Sequence, residues 1–410
     1  MNNLQKLIDK IVDNTPIIDL HTHLFPPQFG NLYLSGIDEL VTYHYLIAEY
    51  FTYEKIISPA DFYAKSKKEQ ADLIWKTIFI DHTPISEAAR GVLNVLKLLG
   101  IKSIPRDINE IRNYLSKFSQ EEYMDIIFKK TNIDYLFMTN NPFNEAERKV
   151  WESGVEIDSR FKSALRIDDL LFDFPKVQKI LEKEGMSVNA NLDKPSVENL
   201  IAFLEKWIKI MHPYYAMCSV TPEFIYPADN FQTQVLDKVL LPFLKMHQLP
   251  FALMFGVKRQ VNPKLKLAGD GVGKVDINTV INLLDKNSDV NFLMTFLSRE
   301  NIHESAIVAR KYGNMRLFGC WWFTNVPFLI EEIVRMRMEL VGLNFIPQHS
   351  DARIIDQLLY KWFHFKTILK KVLLDKYGDV VETGWTVSKQ DIQRDIEGLL
   401  KRNFLDFVNK

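Results

Sequence analysis

Asp19-Leu20-His21-Thr22-His23 carries two histidines two positions apart. On an extended chain alternate residues share a face, so both imidazoles project together. Two neutral imidazoles on one face chelate a borderline divalent metal such as zinc. Alone, such a pair is as readily two packed histidines. Its setting narrows the choice, because it follows the apolar Ile17-Ile18, and a carboxylate, Asp351, follows another apolar run, Phe345-Ile346-Pro347-Gln348. Asp351 reads alternatively as the N-cap of a following helix. As a third, anionic ligand it would make a site with three protein ligands, which leaves room for water or substrate. Arg166 and Arg353 are candidate carboxylate clamps, since a guanidinium fork matches a carboxylate, although a single arginine more often forms a surface ion pair. Trp321 and Trp322 offer faces on which a sugar ring stacks, and at least one of them belongs to the core. Tyr43-His44-Tyr45 reads as aromatic packing unless a metal and a cationic arginine lie near. In that setting a tyrosine's phenolate is favoured and acts as a base. His82, His212, His247 and His364 show no partner pattern, and His303 stands too far beyond Ser298 to be a ligand.

These residues sit at the ends of strand-like runs. Eight are read: Pro16–Leu20, Ile133–Met138, Phe161–Ile167, Tyr214–Val220, Pro250–Gly256, Asn291–Leu297, Met315–Phe323 and Asn344–Gln348. Several, such as Phe251-Ala252-Leu253-Met254-Phe255, are apolar without alternation, as strands buried on both faces of a parallel sheet are. Helical spacing fills the intervals, for example over Val197–His212 and Leu329–Val341. Alternating strands and helices in eight units predict an α/β fold of the (β/α)8 TIM-barrel type. The active site of such a barrel lies at the C-terminal ends of its strands. There His21, His23, Arg166, Trp321, Asp351 and Arg353 all fall, with Asp351 beside the histidines because the first and last strands are neighbours. No GxGxxG follows the first strand, which argues against dinucleotide binding.

About a hundred residues separate the first two strands. The stretch 36–130 is read as a helical insertion packed on a barrel formed by 1–35 and 131–410, with helices such as Ala89–Leu99 and Glu121–Phe128. Gln260–Lys274, with its three glycines, reads as a mobile loop after the fifth strand. From about Ile354 the tail reads as helices, one opened by a Ser388–Asp391 capping box.

Bulk composition excludes several classes. The chain has 410 residues, 47% of them hydrophobic, and 51 basic against 52 acidic residues give a net charge of -1. That is enough apolar material for a large core and no field to attract nucleic acid or an anionic membrane. The only cysteines, Cys218 and Cys320, sit in apolar runs and read as buried free thiols. No signal-peptide pattern and no membrane-length apolar run is present, so a cytoplasmic location is expected. A homo-oligomer is left open.

Taken together, the motifs resemble those of the uronate isomerases, a branch of the amidohydrolase superfamily. The likeness rests on Asp19-Leu20-His21-Thr22-His23-Leu24-Phe25, on Asp38-Glu39-Leu40-Val41-Thr42-Tyr43-His44-Tyr45, on Gly319-Cys320-Trp321-Trp322-Phe323, on Arg335-Met336-Arg337 and on Phe345 through Arg353. It implies that His21, His23 and Asp351 bind one divalent ion, zinc by preference. It implies that Tyr45, Asp351 and Arg353 move protons and stabilise negative charge, and that His44, Arg166 and Trp321 contact a hexuronate. The implied reaction is D-glucuronate to D-fructuronate, or D-galacturonate to D-tagaturonate, through a cis-enediol, with no nicotinamide or flavin. Met254 stands where many superfamily members carry a strand-5 histidine, which argues for a single ion. The alternatives are a metal-dependent hydrolase of an ester, lactone or amide, and a non-catalytic sugar-acid binder.

Overall fold

The apolar runs form one curled sheet. In the computed structural model, which describes residues 2–408, seven parallel strands pair in the order β1 (Ile17–Thr22), β2 (Ile133–Asn140), β3 (Phe161–Arg166), β4 (Ala216–Val220), β5 (Phe251–Phe255), β8 (Phe292–Phe296) and β9 (Met315–Leu317). Two short strands, β6 (Val257–Lys258) and β7 (Gly271–Val272), form a separate antiparallel pair. Every residue of β5 and β8 is buried, which is why those runs lack alternation. Within β5, Phe251, Leu253 and Phe255 join the apolar layer that includes the surrounding helices, while Ala252 and Met254 face the inside of the curl. There they meet Ile18, Leu20, Phe137, Met217 and Leu293. Phe404 and Phe407, from the last helix, pack into the same inner cluster. The side chain of Asn291, just before β8, donates to the Phe407 carbonyl, which fixes that helix at the N-terminal ends of the strands. The opposite, C-terminal ends are left for the site.

Two expected strands differ from the prediction. The seventh is three residues long instead of running to Phe323, because Gly319 turns the chain with φ near 65°. A side chain at Gly319 would collide with the imidazole of His349, so the backbone approaches that ring closely only because glycine is there. The buried Arg337 donates from Nη1 to the Gly319 carbonyl at 2.8 Å and holds the turn. The eighth predicted strand, Asn344–Gln348, forms one parallel bridge, Phe318 with Ile346, and no strand. It is nonetheless tied on both sides. Ile346 donates to Leu317 O, Asp351 donates to His21 O at 3.0 Å, and His23 donates to Ala352 O at 2.7 Å.

Between β1 and β2 the chain is helical, including His44–Tyr53, Glu87–Leu98 and Gln120–Thr131. The segment read as a mobile loop folds as the β6–β7 pair with a 3-10 turn, Pro263–Gly269, between its strands. Its Leu265 carbonyl accepts the Tyr63 hydroxyl at 2.7 Å, so it is fastened to the inserted helices. After Asp351 come a long helix, Gln357–Glu382, and Lys389–Glu397, which opens with the Ser388–Asp391 capping box. Cys218 and Cys320 are buried free thiols. Among the described residues no helix is long and apolar enough to cross a membrane.

Gly319→Ala combines a positive-φ penalty with overlap onto His349. It is expected to lower unfolding free energy by about 1–3 kcal/mol in urea titrations; an unchanged midpoint would contradict the close-approach account.

Candidate metal centre

β1 is extended through Thr22, so His21 and His23 project from one side of its C-terminal end. The backbone ladder to residues 351 and 352 brings the carboxylate alongside. His21 Nε2 lies 3.3 Å, and His23 Nε2 3.4 Å, from the same oxygen, Asp351 Oδ1. One ligand atom from each of the three residues lies within 4.8 Å of the others. A charge-assisted N–H···O bond is about 2.7–2.9 Å long, so these separations are too wide for good hydrogen bonds. A tetrahedral ion with bonds of about 2.0–2.1 Å holds its ligands roughly 3.3 Å apart.

The tautomer of His23 supports the same conclusion. The Thr139 hydroxyl, at the end of β2, donates to Thr22 O at 3.1 Å, so toward His23 Nδ1, also at 3.1 Å, it must accept. Nδ1 therefore carries the proton and Nε2 presents a bare lone pair to Asp351 Oδ1. Two lone pairs facing one another across 3.4 Å repel unless a cation lies between them. Burial, followed by the charge of Arg353, also holds His23 well below its ordinary pKa, in the neutral form that a metal requires. The residues present fit a divalent ion.

Support continues outward. Asp351 takes a left-handed φ of 53°, costly for a non-glycine residue and kept only where its surroundings impose it. Asp19, fully buried, accepts from Ser350 N at 3.0 Å and from Trp362 Nε1 at 2.8 Å. One carboxylate thus joins β1 to the segment before Asp351 and to the long C-terminal helix. Asn325 donates to His349 O and Ser350 O at 3.3 Å each, holding the same segment from the other side.

The other expected site residues divide into two groups. Tyr43, His44 and Tyr45 gather near the ligands: Tyr43 and Tyr45 ring centroids lie 4.7 Å apart, and Arg353 acts electrostatically on His23, Tyr43 and His44. The Arg353 side chain donates no hydrogen bond among the described residues. Trp322, instead of Trp321, sits edge-on to His44 with centroids 5.4 Å apart. It begins a 3-10 turn, so the two tryptophans do not follow strand alternation. Arg166 is already engaged, donating from Nε and Nη2 to both oxygens of Asp168 at 3.0 and 2.9 Å, while Nη1 donates none among the described residues. The phenolate expected at Tyr45 meets an opposing environment. Burial, then Tyr43 and the carboxylates Asp351 and Glu87, push its hydroxyl well above the ordinary range, and the favourable charge of Arg353 falls on Tyr43 instead.

Sequence reading missed Thr139, Asn325, Trp362, Glu87 and Lys361. Only Lys361 left a signal, as a cation inside the run Leu358-Leu359-Tyr360-Lys361-Trp362.

Burial, joined by nearby cations, holds the imidazoles of His44 and His364 well below their ordinary values. Unfolded, each takes up a proton near pH 6.5, so the unfolded chain binds more protons and stability falls as pH drops below that point. Chelator-treated protein is expected to melt at similar temperatures at pH 8 and 7, and at progressively lower ones from pH 6.5 to 5. Equal melting at pH 7.5 and 5.5 would contradict the neutral assignment.

Comparison with solved structures extends the geometry to the whole chain. A crystal structure of a uronate isomerase from Bacillus halodurans C-125 matches with a TM-score of 0.97 and 44% identity, over 100% of this chain and 97% of that one. A glucuronate isomerase from Caulobacter crescentus matches at 0.80 and 14% identity, over 99% and 94% of the two chains. A uronate isomerase from Thermotoga maritima matches at 0.76 and 14%, over 100% and 98%. At 14% identity the last two show a shared fold alone. No family model matches the chain, and no curated protein matches its sequence. Identity of 44% sustained from end to end decides the family: this chain belongs to the uronate isomerases.

Proposed function

We propose that the protein interconverts the aldose and ketose forms of a hexuronate, D-glucuronate with D-fructuronate or D-galacturonate with D-tagaturonate. The full-length likeness to the Bacillus halodurans uronate isomerase carries this reading. The gathering of His21, His23 and Asp351 beside Arg353 and the Tyr43–His44–Tyr45 cluster agrees with it. The sheet is taken to close as a (β/α)8 barrel through the segment tied to both Leu317 and His21, which sets the site at the barrel mouth.

The reaction is redox-neutral within one molecule. The open-chain aldose loses a proton from C2, an enediol forms, and a proton returned to C1 leaves the carbonyl at C2. In this assignment Asp351 assists ring opening and Tyr45 carries the C2 proton. Because its surroundings favour the phenol, Tyr45 takes the C2 proton only after its own hydroxyl proton has been released to water. Arg353, uncommitted to any protein acceptor among the described residues, stabilises the enediolate oxygen, a role worth about 3–4 kcal/mol for one well-placed donor. Arg166, fixed by Asp168, keeps Nη1 for the sugar carboxylate, while His44 and Trp321 contact the uronate. His21, His23 and Asp351 would hold a divalent ion, with zinc the best match to two imidazoles and a carboxylate. When bound, that ion polarises a substrate oxygen.

Purified protein is expected to convert glucuronate or galacturonate to the ketose, followed by circular dichroism; inertness toward every hexuronate would remove the reading. Tyr45→Phe should lower kcat by about 10²–10⁴-fold, and full activity in that variant would remove the proton-carrier role alone. Asp351→Asn keeps the shape but loses the anion. Elemental analysis should find its metal content falling from near one ion per chain to near zero, whereas wild-type metal content would sink the ligand assignment.

A further inference from the structure

Besides the three ligands, a lysine and a glutamate lie almost wholly inside the protein. Lys361 Nζ and Glu87 Oε1 are 2.7 Å apart, with side chains 3% and 9% exposed. Lys361 belongs to the long helix after Asp351, and Glu87 opens the inserted helix Glu87–Leu98. Taking both charges out of water costs several kcal/mol per ion, and an apolar pair of similar volume is often no less stable. Stability therefore does not explain the pair.

Its contacts point elsewhere. Lys361 Nζ lies 5.8 Å from the Tyr45 ring centroid and 5.0 Å from that of Tyr360. It also donates to Asn325 O at 3.3 Å. The Asn325 side chain in turn donates to His349 O and Ser350 O and accepts from Gln348 Nε2 at 3.0 Å. A single ammonium thus lies over the ring assigned to proton transfer and reaches, through one asparagine, the backbone that presents Asp351 in its left-handed conformation. Glu87 fixes that ammonium from the inserted helices.

We propose that Lys361 and Glu87 form a positioning pair for the isomerisation, which together hold the Tyr45 ring and, through Asn325, set the presentation of Asp351 to a divalent ion. The proposal rests on the hexuronate reading for its effect on turnover; its effect on the ion does not. Outer groups of this kind change metal affinity or activity by about 10–100-fold when removed.

The test compares wild type with Glu87→Gln, Lys361→Arg and the double variant Lys361→Met/Glu87→Leu. Zinc affinity of the metal-stripped proteins is measured by competition with a chromophoric chelator, alongside melting temperature, kcat and KM. The double variant is expected to melt close to wild type, bind zinc about 10-fold or more weakly, and lose about 10–100-fold in kcat with KM within about threefold. Lys361→Arg, which keeps the charge, should recover most of both losses. A double variant with wild-type zinc affinity and kcat would overturn the proposal. So would losses that merely follow the unfolded fraction. Should Lys361→Met/Glu87→Leu fail to fold, Glu87→Gln decides alone: wild-type affinity and kcat in that variant overturn the pairing. If wild type turns over no hexuronate, the isomerase reading fails, and the zinc measurement still decides the proposal.

Discussion

One carboxylate oxygen facing two imidazole nitrogens organises this molecule. Without a cation between them, Asp351 Oδ1 and the bare Nε2 of His23 repel, and the carboxylate is buried where little water can relieve the repulsion. The surrounding structure keeps them together. Asp351 N bonds to His21 O, and His23 N bonds to Ala352 O, so the metal-facing side chains hang from a short backbone ladder. Asp19 and Asn325 grip the same ladder from its two sides, and the left-handed turn at Asp351 persists because those grips leave no alternative.

The large apolar architecture serves that small polar region. Strands buried on both faces have little freedom to shift, since sliding one would expose Phe, Leu and Met on two sides at once. The close approach of Gly319 to His349, fixed by the buried Arg337, then transmits this rigidity to the residues just before Asp351. The helices between β1 and β2 reach this region as well, since they carry Tyr43, His44, Tyr45 and Glu87.

Legibility in the sequence followed how local each signal is. Period-two spacing announced the histidine pair, and unbroken apolar runs placed six strands within a few residues of where they lie and the start of a seventh. The seventh run was read too long because its apolar residues continue past the glycine that ends the strand; hydrophobicity does not report a backbone reversal. The eighth was read as a strand because Phe345-Ile346 is apolar, yet its bonding is spread between Leu317, Asp19 and His21 instead of forming a ladder with one neighbour. Thr139 and Asn325 were invisible because a threonine or asparagine at a strand end or turn is ordinary, and only the fold reveals which carbonyl or imidazole it meets. The environment of Tyr45 was equally hidden: burial raises its hydroxyl, and the lowering charge of Arg353 acts on Tyr43.

The ligand set also has a consequence for biogenesis. Two of its members precede nearly every strand in the order of translation and the third follows them all. A nascent chain offers only an imidazole pair, a weak and unselective chelator, until the segment beyond the last strand has been made. An ion held there would enter a nearly finished fold, and its capture would act as a late check that β1 and the segment after the last strand have found each other.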